Sequence, residues 1–189
     1  MIEVLRNHIS RRLGNDLDNL DKVLSGFEYI STKRNEQVLQ QGETCNYVYF
    51  IAKGCLQVYV FDKDFNETTR DIVIEDNWCS ELQSFGSGTP AIENIRAVEP
   101  SELFAISRQN FQIMIETVPQ FDKVYKQILE ASYANSVYRI NTFVSLTALE
   151  RIKWLMEYRP MLMTRLSSKL IASYLGINKD VFSRLKAKL

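Results

Sequence analysis

The chain has 189 residues, room for one large or two small domains, and with 46% hydrophobic and 11% aromatic residues it can bury substantial cores. Its 23 basic and 23 acidic residues cancel, no apolar run nears the roughly 18 residues of a membrane helix, and the start at Met1, Ile2, Glu3 lacks a signal peptide's apolar stretch, so a cytoplasmic chain without membrane contact is expected. Cys45, Cys55 and Cys79 are odd in number and have no C-x-x-C spacing, which argues against a disulfide framework and an ordinary zinc site and leaves buried thiols as the expectation.

Residues 3–24 read as helix, with Leu13, Leu17, Leu20 and Leu24 at three- and four-residue steps. The single histidine, His8, is expected there as a surface side chain. From Glu28 to Ser107 the period shortens to strands, at residues 36–39, 47–51, 55–61, 68–74, 94–97 and 102–106, punctuated by Gly42, Gly54, residues 62–66, residues 86–90 and Pro100. Many short strands at this spacing predict a β-roll or jelly-roll barrel. Gly86, Ser87 and Gly88 have neither a P-loop lysine nor the flanking glycines of a nucleophile elbow, and read as a flexible turn.

After Ser107 the pattern is helical again. Residues 118–142 place Phe121, Val124, Tyr125, Ile128, Leu129, Ser132, Tyr133, Val137 and Ile140 near one stripe. Such a helix is about 37 Å long at 1.5 Å per residue, more than a small barrel covers. Its surplus apolar face can pack on a twin as a parallel, coiled-coil-like homodimer, whereas a helix that merely closes the barrel would leave a monomer. A hinge is expected at residues 145–147, before Thr147, Ala148, Leu149 and Glu150, a capping-like start for a helix carrying Ile152, Leu155 and Met156.

The last stretch carries the sharpest signal. Leu170, Ile171, Tyr174 and Leu175 form one apolar stripe, and Val181, Phe182 and Leu185 form a second. Between them Gly176 can end a helix in the left-handed conformation, Ile177 is an apolar plug and Asn178 is a good N-cap. Two short helices joined by such a turn make a helix-turn-helix, whose second helix enters a DNA major groove. From Arg151 onward nine Lys or Arg face two acidic residues, an excess of seven positive charges that the first 150 residues balance with an equal negative excess. A basic tail on an acidic body suits a phosphate-binding module joined to a regulatory one. The predicted DNA face comprises Ser167, Ser168, Lys169, Lys179, Asp180, Ser183, Arg184, Lys186 and Lys188. Arg184 can bond either a guanine or a phosphate.

This order of parts resembles, over essentially the whole chain, the cyclic AMP receptor protein and fumarate-nitrate regulator (Crp/Fnr) superfamily of bacterial transcription factors. Residues 42–59, beginning Gly42-Glu43 and passing Gly54 between two apolar strands, look like the family's barrel signature. Residues 171–177 with Phe182, Ser183 and Arg184 are similar to its helix-turn-helix. The resemblance implies an α+β chain: a cyclic-nucleotide-binding-like β-roll at residues 1–117, a dimerisation helix at 118–145 and a reduced winged-helix, helix-turn-helix domain at 146–189. Arg165 and Leu166 leave little room for a hairpin before the motif, and no wing is expected beyond it.

In nucleotide-binding relatives, a phosphate cassette carries Gly-Glu and, about nine residues later, Arg-Ser-Ala or Arg-Thr-Ala. The resemblance places Ser80 on the Gly, Glu81 on the ribose-binding Glu, Ala91 on the phosphate-binding Arg and Ile92 on the Ser. Glu81, Leu82, Ala91 and Ile92 are the candidate ligand residues. Because Ala91 replaces the Arg, cyclic AMP is not expected, which leaves the barrel either another, less anionic small molecule or no ligand at all. Arg96, five residues along a strand and about 15 Å away, is no substitute. Without its Arg, Glu81 can instead cap the short helix that follows.

No catalytic or metal site is expected. Three dispersed cysteines cannot hold an iron-sulfur cluster, and His8 alone supports neither a haem nor a Ser-His-Asp set. The alternatives to a dimeric regulator binding double-stranded DNA are a small-molecule-binding module that no longer reads DNA and an enzyme on a barrel scaffold.

Overall fold

The computed structural model describes residues 2–13 and 19–189. The chain folds as two compact units, Met1–Val60 with Ile72–Glu130, and Phe61–Asp71 with Ala131–Leu189. The elements of the first are α1 (Ile2–Leu13), α2 (Leu20–Ser25), β1 (Phe27–Thr32), β2 (Gln37–Leu39), β3 (Tyr47–Lys53), β4 (Cys55–Phe61), β5 (Glu67–Ile74), β6 (Trp78–Cys79), α3 (Leu82–Ser87), β7 (Asn94–Ala97), β8 (Ser101–Ser107) and α4 (Arg108–Thr117), with the tip of the β4–β5 hairpin belonging to the second unit.

The strands form two four-stranded sheets in the orders β1-β8-β3-β6 and β2-β7-β4-β5. Ile51, Leu56, Val58, Ile95, Ala97, Leu103 and Ala105 are buried in the core of this unit. Gly54 turns β3 into β4 at φ +108°, and a Cβ there would lie 2.5 Å from Cβ of Ser101, so only glycine fits. Four successive residues of β3, Val48 to Ile51, are buried, because α1 covers the strand's outer face. All three cysteines are buried.

The predicted mixed α+β architecture is present. The sequence reading overlooked β1 and β6, and its helix over 3–24 is α1 followed by α2, with Leu17 and the Leu13 side chain outside the described residues. Gly86 and Ser87 belong to the last turn of α3 rather than a flexible turn, and Gly88 ends that helix at φ +76°.

His8 corrects the expectation of a surface side chain. It is 1% exposed, edge-on to Phe50 at 4.8 Å. Its Nε2 accepts from the Trp78 indole N–H at 2.8 Å. Indole only donates, so the ring proton sits on Nδ1 and is given to Asp76 at 2.7 Å. Burial lowers the His8 pKa, partly offset by Asp76. Burial alone would raise Asp76, but hydrogen bonds from His8 and Arg11 outweigh it and hold the carboxyl below its usual range. Asp76 itself stands at φ +62°, in the turn between β5 and β6. The group ties α1 to the sheet.

α5 (Pro119–Ser145) runs 27 residues, about 40 Å. The single stripe read from sequence divides in two. Phe121 and Val124 are buried, with Ile128 half-buried on the same line. Tyr133, Val137, Ile140 and Val144, at 73%, 37%, 60% and 82% exposure, lie about 130° further round at 3.6 residues per turn. Their four-three-four spacing is that of alternate coiled-coil seam positions.

α6 (Ala148–Tyr158), α7 (Pro160–Arg165), α8 (Ser168–Leu175) and α9 (Lys179–Lys186) complete the second unit. Thr147 and Glu150 form a reciprocal capping box at the start of α6, as the sequence predicts, and the hydrogen bonds from Thr147 hold Glu150 below its ordinary pKa. Ile152, Leu155, Leu162, Ile171, Ala172, Tyr174, Leu175 and Phe182 are buried in this unit.

Candidate nucleic-acid interface and sensor cassette

α8 starts at an N-cap, Ser167, whose hydroxyl accepts from Leu170 N–H, and ends at Gly176 with φ +63°. Asn178 then caps α9 by accepting from Asp180 N–H at 2.8 Å. Phe182, fully buried, anchors α9, while Lys179, Asp180, Ser183 and Arg184 occupy its exposed side. Ser167, Ser168, Lys169, Lys186 and Lys188 are exposed too, so all nine residues assigned to the DNA face lie at the surface of one helix-turn-helix.

Not all of the basic excess stands on the helix-turn-helix surface. Arg151 and Arg159, which contribute to the positive excess, turn inward: Arg151 Nη1 donates to Leu175 O at 2.8 Å and Arg159 Nη1 to the Tyr174 hydroxyl at 3.0 Å. The cations standing on the helix-turn-helix surface are Lys169, Lys179, Arg184, Lys186 and Lys188.

A helix leaves its last four carbonyls without intrahelical partners, and those of α8 are all accounted for. Ala172 O and Ser173 O accept from Ile177 N–H and Gly176 N–H at 2.9 and 3.1 Å. Tyr174 O accepts from Arg139 Nη2 at 2.6 Å, and Leu175 O accepts from Arg151. Arg139 also donates to Thr69 O at 3.3 Å and stacks on Tyr174 at 3.9 Å. Phe143 lies between the two guanidinium groups, 4.8 Å from Arg139 and 5.0 Å from Arg151. Burial lowers the Arg139 pKa from its very high ordinary value. The sequence reading missed this cluster. The available signal was Arg139 itself, which falls on the same face of α5 as Phe121 and Ile128, and a cation on an apolar stripe needs partners.

In the first unit, Glu81 is 6% exposed and caps α3, accepting from Ser84 N–H at 2.6 Å. Ala91 is buried, its N–H given to Glu43 O and its carbonyl accepting from Gly42 N–H, both at 2.8 Å. Leu82 and Ile92 are exposed, so the four candidate ligand residues do not share one environment: two are buried and two face solvent. Arg96 donates to Gln57 Oε1 at 2.8 Å and stacks over Tyr59 at 4.8 Å. A groove of about 580 Å³ is lined by Tyr47, Arg108, Gln109, Gln112 and Ile113 among others, and by none of the four. Arg108 braces the cassette from α4, donating to Cys45 O and Ser84 O at 2.9 and 2.8 Å.

Residues 29–118 match the family described as cyclic nucleotide-binding domain. Among curated proteins, none matches the chain in sequence. Solved structures share the fold over nearly the whole chain. CLP of Xanthomonas campestris, described as a c-di-GMP responsive global regulator, is 16% identical, with 92% of this chain and 91% of that one covered and a TM-score of 0.74. FixK2 of Bradyrhizobium japonicum is 17% identical, with 86% and 84% covered and a TM-score of 0.74. A candidate transcriptional regulator of the Crp/Fnr family from Eubacterium rectale is 12% identical, with 90% and 81% covered and a TM-score of 0.71. Residues 29–118 thus match the cyclic nucleotide-binding domain, and the chain as a whole shares the fold of these solved regulators.

Proposed function

We infer that the chain is a dimeric, sequence-specific DNA-binding transcription regulator whose β-roll senses a small molecule, acting in the cytoplasm. The observation that carries this reading is the exposed face of α8 and α9, where five cations surround a capped, well-anchored second helix. The fold shared with solved regulators supports it. The exposed stripe Tyr133, Val137, Ile140 and Val144 supports a parallel pairing of two α5 helices, since a free apolar seam of this spacing is unfavourable in water. Two recognition helices related by a twofold axis can enter successive major grooves about 34 Å apart, which one short helix cannot.

Cyclic AMP is not the effector on this reading. Ala91 offers no cation to a cyclic phosphate, its N–H is already given to Glu43, and Glu81 spends one carboxylate oxygen on capping α3 through Ser84 N–H. An effector works by binding one arrangement of the dimer better than another, with Leu146 and Thr147, between α5 and α6, as the proposed hinge.

Affinity for random duplex DNA, and for duplexes selected from a random pool, measured against salt, tests the assignment. With up to five cations per protomer, the logarithm of affinity is expected to fall steeply with the logarithm of salt, at about −0.9 per phosphate neutralised. A flat dependence overturns it. Native mass spectrometry of gently purified protein reports the dimer and any retained effector together.

A further inference from the structure

We propose that Arg139 and Arg151 are positioning residues that set the pose of the DNA-reading helices through the end of α8, and are not themselves DNA contacts. This rests on the DNA-binding assignment above. The C-terminus of α8 is where the turn into α9 begins, so whatever fixes Tyr174 and Leu175 fixes the direction in which α9 departs. Two main-chain carbonyls there have no partner in their own helix, and each is held by an arginine from a different element, Tyr174 O by α5 and Leu175 O by α6. Arg151 also donates to Leu146 O at 3.1 Å, so one guanidinium joins the α5–α6 hinge to the helix-turn-helix. Arg139 likewise joins Thr69, on the β4–β5 hairpin, to Tyr174.

Three further features make this a clamp rather than a pair of incidental bonds. Phe143 fills the space between the guanidinium groups, so neither can shift without disturbing the other. The same ring abuts Gly176, where a Cβ would come within 2.5 Å of Phe143 Cε1. Cationic groups at a helix C-terminus also complement its dipole. Lysine cannot replace either group: at Arg151 one ammonium cannot stand for the Nε and Nη1 that reach two separate carbonyls, and at Arg139 it cannot bond Tyr174 O while lying flat on the Tyr174 ring. The clamp thus links three elements, α5, α6 and the hairpin, to the one turn that orients α9.

Base-edge contacts need an exact pose, whereas phosphate contacts tolerate small rotations. The two classes of binding therefore separate the roles. R139K, R151K and the double variant would be compared with the wild-type chain for affinity on a selected and on a random duplex, with the salt slope and the thermal midpoint recorded. Each single variant is expected to lose about tenfold on the selected duplex, with affinity on the random duplex and the salt slope unchanged. The double variant is expected to lose little more than either single one, because both act through one turn. Equal losses on both duplexes with a shallower salt slope would make the arginines phosphate contacts and overturn the proposal. So would an unchanged ratio between selected and random DNA in variants that keep the wild-type midpoint. Should either single variant lose its fold, the other gives the same comparison. Absence of salt-dependent binding by the wild-type chain would instead remove the DNA assignment and the proposal with it.

Discussion

Gly176 bears the heaviest local constraint in the reading domain, and G176A measures it. At φ +63° an alanine pays about 1–2 kcal/mol for the left-handed conformation. Its Cβ would also lie 2.5 Å from Phe143 Cε1 and 3.4 Å from Arg151 Nη1. Phe143 is held between two guanidinium groups and cannot simply swing aside, so relief of the overlap costs about 1–3 kcal/mol more. The sum, about 2–5 kcal/mol, is comparable with the whole stability of a domain of this size. Hydrogen exchange at the α8 and α9 amides reads the loss directly as a lowered opening free energy, and urea titration followed through Trp154 reads it globally in the second unit. G86A is the control: Gly86 lies inside α3 with no atom within 4 Å of a new Cβ, so alanine there is expected to be neutral or to stabilise by about 0.5–1 kcal/mol. A G176A penalty below about 0.5 kcal/mol would refute the argument from backbone conformation and crowding.

Other outcomes follow from the same structure. Because burial lowers the His8 pKa, the unfolded chain binds more protons between the folded value and 6.5; stability of the first unit is therefore full above about pH 6.5 and declines as pH falls through that window. Denaturant midpoints followed through Trp78 should show this decline in the wild-type chain and lose it in H8Q, and an identical slope in both would contradict it. V144E and I140E introduce charge into the exposed seam and are expected to dissociate the proposed dimer without unfolding the protomer, each removing about 1.5–3 kcal/mol of apolar burial per protomer; sedimentation equilibrium showing an unchanged mass would rule out this seam. R184A is expected to cost about 1–3 kcal/mol on a selected duplex, and unaltered affinity means that the docking face is wrongly assigned.

Much of this molecule was legible in its sequence, and what escaped was long-range. Gly176 and Asn178 behave as their local chemistry requires, and so do Thr147 and Glu150, because a cap is decided by residues within one turn. Glu81 also took the local option of capping α3. His8 was misjudged because its partners, Trp78 and Asp76, are 70 and 68 residues away, and nothing near it in sequence announces them. The stripe along α5 was read as one because apolar periodicity marks a face without saying what covers it, and the true pattern drifts from one side of the helix to another. The inward bonds of Arg151 and Arg159 went unread for a related reason: composition cannot tell a guanidinium that bonds within the fold from one that faces solvent.

The division of labour between the cations has a physical basis. Arg139, Arg151 and Arg159 are used inside the second unit, where several donors on a flat, weakly hydrated group can satisfy carbonyls and cover aromatic rings. Beyond Ser167 the surface holds lysines and a single arginine, Arg184. Lysines supply attraction to any polyanion, so on the proposed reading discrimination among sequences falls to Arg184 with its neighbours Asp180 and Ser183. Few reading groups mean that a small error in the angle of α9 forfeits most of the specificity while sparing the attraction. On that reading, selectivity should be more sensitive to the half-buried Arg139 and Arg151 than to any one of the exposed lysines.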